Sequence, residues 1–147
     1  MPDGPDAAPT HRQPMLVVLV AVGGFLGALA RYGVGELAPT EPGRWPWGTF
    51  VVNVTGAFVL GALLEGLARS GPDAGRRRQA RLVLGTGFCG AYTTYSTLAV
   101  ETELLRRSSA IGSAAAYPLV SAAVGLLAAA LGIALAGRWR TARGASA

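Results

Sequence analysis

Residues 85–98 read Gly85-Thr86-Gly87-Phe88-Cys89-Gly90-Ala91-Tyr92-Thr93-Thr94-Tyr95-Ser96-Thr97-Leu98. They lie inside an apolar stretch, residues 82–100, that carries no charge. About 20 apolar residues cross a hydrocarbon core, so this stretch is long enough. Its middle nevertheless holds six hydroxyls in a row, on Tyr92, Thr93, Thr94, Tyr95, Ser96 and Thr97. Such groups cost free energy in lipid unless they find partners. Gly and Thr are also weak helix formers. The stretch therefore reads as a membrane helix broken or unwound at mid-depth. Freed backbone is tolerated there only where it is buried in protein or lines a wet cavity, and such breaks often bind ions.

The composition agrees with a membrane setting. Of 147 residues, 51% are hydrophobic and 14% charged, and the mean hydropathy is +0.40. That is too apolar for an ordinary soluble domain and fits one small membrane domain. The net charge is +5 and every basic residue is arginine. These arginines sit at the ends of apolar spans and form no stripe, so membrane topology explains them better than nucleic-acid binding. The single cysteine, Cys89, excludes an internal disulfide and a CxxC metal site.

Three further spans flank the broken one. Residues 1–14, with four prolines and the only histidine, His11, are expected to be a disordered tail. Residues 15–30 are apolar and are expected to form a first helix ending near Tyr32. Ala28-Leu29-Ala30 resembles a leader-cleavage signal, but the acidic start and the similar spans that follow favour a helix. Gly23 with Gly27 and Gly24 with Ala28 are small-xxx-small pairs that permit close helix contact. Arg31 either snorkels to the interface or contributes to an anion entrance. Trp45 and Trp47 mark a membrane interface, and the second span is expected over residues 45–64, with Asn53 near its middle. A buried amide there either glues helices or donates to an anion. Thr49 and Thr55 are expected to bond helix backbone. Residues 65–81 read as a basic loop and 101–107 as a short polar one. The fourth span is expected within residues 108–137, followed by a basic tail over 138–147. In it Ser109, Ser113, Tyr117, Ser121 and Gly125 recur every four residues, on one helix face. That face is either a small-residue packing seam or an ion track.

Several chemistries are excluded. Gly85-Thr86-Gly87-Phe88-Cys89-Gly90 matches GxGxxG, but no strand–turn–helix surrounds it. The spans hold no Ser/His/Asp or Cys/His set and no carboxylate pair, so an enzyme is not expected. A small four-helix drug/proton exchanger requires a membrane-embedded carboxylate. The first span has none, and Glu65 and Glu101 fall at span ends.

The chain resembles the bacterial fluoride-channel family called Fluc or CrcB. The matching residues are Gly23-Gly24-Phe25-Leu26-Gly27-Ala28 with Arg31-Tyr32, then Gly48-Thr49-Phe50 with Val52-Asn53 and Gly56. The most specific match is Gly87-Phe88-Cys89-Gly90-Ala91-Tyr92-Thr93-Thr94-Tyr95-Ser96-Thr97, and order and spacing agree over residues 23–137. The resemblance implies an all-α integral membrane protein with four transmembrane helices, the third broken. It implies an antiparallel, dual-topology dimer with two fluoride pores and a structural, non-transported sodium ion at its centre. By motif position the backbone carbonyls of Gly90 and Thr93 would hold sodium. Fluoride would meet Asn53, the ring edge of Tyr95, the neighbouring Ser96, Thr97 and Leu98, and then Tyr117 and Ser121. The family has phenylalanine at the positions of Tyr95 and Leu98, and serine at Gly125. Tyrosine keeps a ring edge whose quadrupole is positive, whereas leucine has none.

The expected function is that of a fluoride-specific channel subunit giving passive fluoride export. The alternative is a structural subunit of a heterodimer with a silent pore. An even number of spans leaves both termini on one side. That side carries nine arginines against four on the other, which predicts cytoplasmic termini in the cell membrane. The imbalance also favours pairing with a related subunit of opposite orientation over an antiparallel homodimer.

Overall fold

The computed structural model describes the backbone of residues 13–144 and the side chains of residues 13–138. The parts of the expected tails at residues 1–12, with His11 and Arg12, and at 145–147 lie outside it. The described residues are all-helical apart from short connections. Helix α1 spans Pro14–Leu37 and α2 spans Trp47–Ala68. A short α3 (Gly75–Ala80) leads into a π-helical segment, Arg81–Cys89, then α4 (Gly90–Tyr92) and α5 (Tyr95–Arg107). The last helix, α6, spans Ile111–Gly144.

Three of these, α1, α2 and residues 111–138 of α6, are long and apolar enough to cross a membrane. Each is apolar nearly all round, as a lipid-facing helix must be. Large side chains such as Phe25, Leu119, Leu126 and Leu127 accordingly stand exposed. Pro14 opens α1 at a first-turn position, where its missing N–H removes nothing.

Several boundaries differ from the sequence reading. Helix α1 runs on past Tyr32 to Leu37, and α2 continues to Ala68, so the expected basic loop over 65–81 shrinks to the turn before α3. Residues 101–107 are not a loop but the second half of α5. Helix α6 continues beyond Arg138 to Gly144. Its first residue is Ile111, and Ser109 precedes it with a φ of 62°. Ser109 therefore does not share the helical face of Tyr117 and Ser121.

Helices α2 and α6 form the most extensive pair, and α1 packs on the π segment. The second contact depends on glycine. A Cβ on Gly23 would collide with the carbonyl of Val83, and one on Gly27 with that of Phe88. The glycines let the two backbones meet directly. Between α4 and α5 the ladder stops: Thr93 (φ −76°, ψ 157°) and Thr94 (φ −150°, ψ 124°) are extended. Gly56 of α2 faces this point, where a Cβ would strike Thr93 Cγ2.

Candidate functional site

Thr94 is the pivot. Its backbone N–H donates to Asn53 Oδ1 (2.8 Å), and its carbonyl accepts from Asn53 Nδ2 (3.0 Å). The Asn53 amide thus replaces the helix partner that the Thr94 N–H has lost, and also bonds the carbonyl at the head of α5. One Nδ2 hydrogen of Asn53 stays uncommitted by these two bonds. The Thr94 side chain caps α5: its Oγ1 accepts the N–H of Thr97 (3.2 Å) and donates to Thr97 Oγ1 (3.0 Å). Ser96 Oγ lies 3.2 Å from the same oxygen. Thr55 Oγ1 bonds the Val51 carbonyl (2.7 Å), as expected, and also meets Tyr92 Oη at 3.0 Å.

These bonds free two carbonyls. In an unbroken helix the Gly90 carbonyl takes the N–H of Thr94, and the Thr93 carbonyl takes that of Thr97. Both donors are directed elsewhere, to Asn53 and to Thr94 Oγ1. Gly90 is exposed and Thr93 half-buried, so these oxygens lie toward the protein surface. A hard cation such as sodium takes oxygen ligands of this kind. The chemistry of these two carbonyls fits such a cation.

A second polar centre surrounds Glu101, which the sequence reading put at a span end. It is only 7% exposed. Thr49 Oγ1 (2.9 Å) and Thr40 Oγ1 (3.1 Å) donate to Oε1, and Tyr117 Oη donates to Oε2 (2.7 Å). Thr49 therefore bonds a carboxylate rather than helix backbone. Three hydroxyl donors offset the desolvation of the buried carboxylate. Arg31, Thr40, Thr49, Thr94, Thr97 and Glu101 line one cavity of about 350 Å³. Arg31 thus sits at a polar recess that it shares with the hydroxyls of Thr94 and Thr97.

Tyr117 is fully buried and Ser121, one turn further along α6, is 4% exposed. Their chemistry differs. The Tyr117 hydroxyl hydrogen is committed to Glu101. Ser121 Oγ is buried with no hydrogen-bond partner among the described residues. Leu98 packs against the cluster of Leu105, Ala114 and Tyr117, together with Trp45 and Phe50. Tyr95 lies apart from this group, 83% exposed, and Ser96 is exposed beside it. Gly125 has no heavy atom within 4 Å of an added Cβ. So the structure brings Arg31, Thr97 and Tyr117 to Glu101, with Leu98 packed against Tyr117 and Ser121 one turn beyond it. Asn53, Gly90 and Thr93 gather at the extended turn, and Tyr95 and Ser96 face outward.

Sequence reasoning missed Glu101, Thr94 and Thr40. Continuing the helical period past residue 100 would have found the first, since Thr94, Thr97 and Glu101 recur at i, i+3 and i+7. A hydroxyl just before a helical run is also a cap signal, which marks Thr94. Nothing in the sequence marks Thr40, a loop residue 61 positions from its acceptor.

Comparison with known proteins matches this architecture to a family. The sequence profile described as "CrcB-like protein, Camphor Resistance (CrcB)" matches residues 18–133. A protein of Leifsonia xyli subsp. xyli, named fluoride-specific ion channel FluC 2, is 47% identical over 139 residues, 95% of each chain. One from Mycobacterium bovis, named fluoride-specific ion channel FluC 1, is 45% identical over 135 residues, 92% of this chain and 99% of its own. A protein of Natronomonas pharaonis, also named fluoride-specific ion channel FluC 1, is 48% identical over 115 residues, 76% of this chain and 90% of its own. With three membrane-length apolar helices, and with a family match across nearly all of them, the chain is a membrane protein that belongs to the CrcB family.

Proposed function

We propose that the chain is a subunit of a fluoride-specific ion channel that lets fluoride leave the cell passively and so lowers its toxicity. It is not an enzyme on this reading. The observation that carries it is the Ser121 hydroxyl, buried and without a partner next to Tyr117. A buried donor without an acceptor is costly. A small anion that has shed water needs such donors in return. The names of the relatives supply the identity of the anion. Expression in a bacterium lacking its own fluoride exporter should restore growth on fluoride, and Ser121→Ala should weaken the rescue. Equal growth with and without the chain would count against the proposal.

In the full reading the segments from α3 to α5 form a fourth, broken span. Two subunits pack antiparallel on the surface that carries Gly90, Thr93, Tyr95 and Ser96, and a sodium ion sits between them on the Gly90 and Thr93 carbonyls. Fluoride passes Arg31, Asn53, Tyr95, Ser96, Thr97 and Leu98, then Tyr117 and Ser121. What supports this is the diverted Thr94 and Thr97 donors and an exposed tyrosine that a lone subunit leaves uncovered.

Both termini are assigned to the cytoplasm, and the partner to a related subunit of opposite orientation, from the arginine imbalance. Arg77, Arg81 and Arg138 line recesses at one end of the bundle that share Leu67, which supports sorting them together. A second reading, a subunit whose own pore is silent, is favoured by Leu98, which offers no ring edge. An exchanger would use Glu101 as its carboxylate, and the names of the relatives argue against it.

A further inference from the structure

Two tryptophans flank the start of α2, and they are not equivalent. Trp47 is 61% exposed, as an interface anchor should be. Trp45 turns inward. Its ring meets Tyr117 edge-on, with centroids 5.2 Å apart at 83°, and lies 6.0 Å from Phe50. It packs on the cluster of Leu105, Ala114 and Tyr117. Its indole Nε1 is buried and has no acceptor among the described residues.

Buried Trp N–H groups usually find a partner, and each exception calls for a reason. Only two buried side-chain polar atoms lack partners among the described residues, Trp45 Nε1 and Ser121 Oγ. Both belong to residues placed around Tyr117. Ser121 is one helical turn from it on α6, and Trp45 comes from the connection between α1 and α2. Tyr117 cannot serve a passing anion while its one hydrogen is held by Glu101. Thr40 and Thr49 are committed to the same carboxylate. The uncommitted donors thus both adjoin a hub whose own hydrogens are in use. An indole N–H is donor only, and so suits a halide and not a cation.

Resting on the channel reading, we propose that the Trp45 indole N–H is a fluoride-binding donor at the end of the pathway nearest the α1–α2 connection, following Ser121 and Tyr117. The neighbouring Leu98 contributes no polarised ring edge, and Trp45 supplies a donor in the same cluster.

The test uses the whole chain, reconstituted with any partner subunit it requires. The indole proton resonance of Trp45 is identified by its loss in Trp45→Phe. In the wild type it should move downfield as sodium fluoride is added, and stay in place with sodium chloride. Fluoride efflux from vesicles should fall about tenfold in Trp45→Phe, the loss of one hydrogen bond to a charged group. Trp47→Phe should stay within about twofold. If Trp45→Phe does not fold, the wild-type titration decides, with Trp47→Phe and Trp139→Phe used to identify the other two resonances. Vesicles that pass fluoride while the Trp45 indole ignores it overturn this assignment alone. An indole that responds only to partner subunit or lipid also overturns it. Vesicles that pass no fluoride overturn the channel reading and this inference together.

Discussion

Removing Asn53 tests the extended turn directly. Asn53→Ala deletes both bonds to Thr94, at 2.8 and 3.0 Å, and leaves the Thr94 backbone N–H without a partner, while the Thr94 carbonyl keeps its place at the head of α5. Side-chain hydrogen bonds in membranes average about 0.6 kcal/mol, so the pair sets a floor of about 1 kcal/mol. An unsatisfied buried backbone group costs about 1–3 kcal/mol, which sets a ceiling of about 3 kcal/mol. The ceiling holds only if the turn stays extended. Refolding it to helix would return the Thr94 N–H to the Gly90 carbonyl and satisfy it, at the expense of the proposed sodium ligand. The expected outcome is a loss of about 2 kcal/mol in detergent unfolding, with transport lost and the assembly retained. Asn53→Asp keeps the acceptor for the Thr94 N–H but not the donor, and should fall between. Hydrogen exchange at the Thr94 amide should quicken about 30-fold for that loss. An unchanged Thr94 exchange rate in Asn53→Ala would refute the brace. Loss of the dimer on a native gel would instead make Asn53 an assembly residue.

Replacing all sodium by a large organic cation should abolish transport, and Gly90→Ala, which has room for its Cβ, should be tolerated; full activity without sodium would make the ion dispensable. Ser121→Ala should slow fluoride efflux about tenfold while barely changing stability, since it removes a donor that has no partner to lose. Gly56→Val should prevent the approach of α2 to Thr93 and abolish folding; a folded, active variant would show that the contact is adjustable. Reporter enzymes fused to the C-terminus should signal only from the cytoplasm; comparable signals from both sides would restore a dual-topology homodimer.

What the sequence carried plainly was local. Uninterrupted apolar runs announced α1, α2 and α6, because a lipid-facing helix must be apolar on every side. The hydroxyl run at 92–97 marked the place where helical hydrogen bonding would be contested, and the extended Thr93 and Thr94 lie within it. The parts that were not legible depend on residues far apart in the chain. Glu101 resembled the start of a surface loop because Glu103, Arg106 and Arg107 follow it, and those three do pair with one another at the surface. Its burial is decided by Thr49, 52 positions away, and by Tyr117, 16 positions away. Likewise nothing local distinguishes Trp45 from Trp47; only the packing of Tyr117 beneath one of them separates a buried donor from an interface anchor.

The central claim is selective fluoride passage, and ion efflux from loaded vesicles tests it most directly. Purified chain, with any partner subunit it requires, is reconstituted in vesicles holding fluoride or chloride. A selective electrode then follows release once a potassium ionophore shunts the voltage. The account predicts rapid release of fluoride with chloride retained. Chloride leaving as fast as fluoride would contradict it.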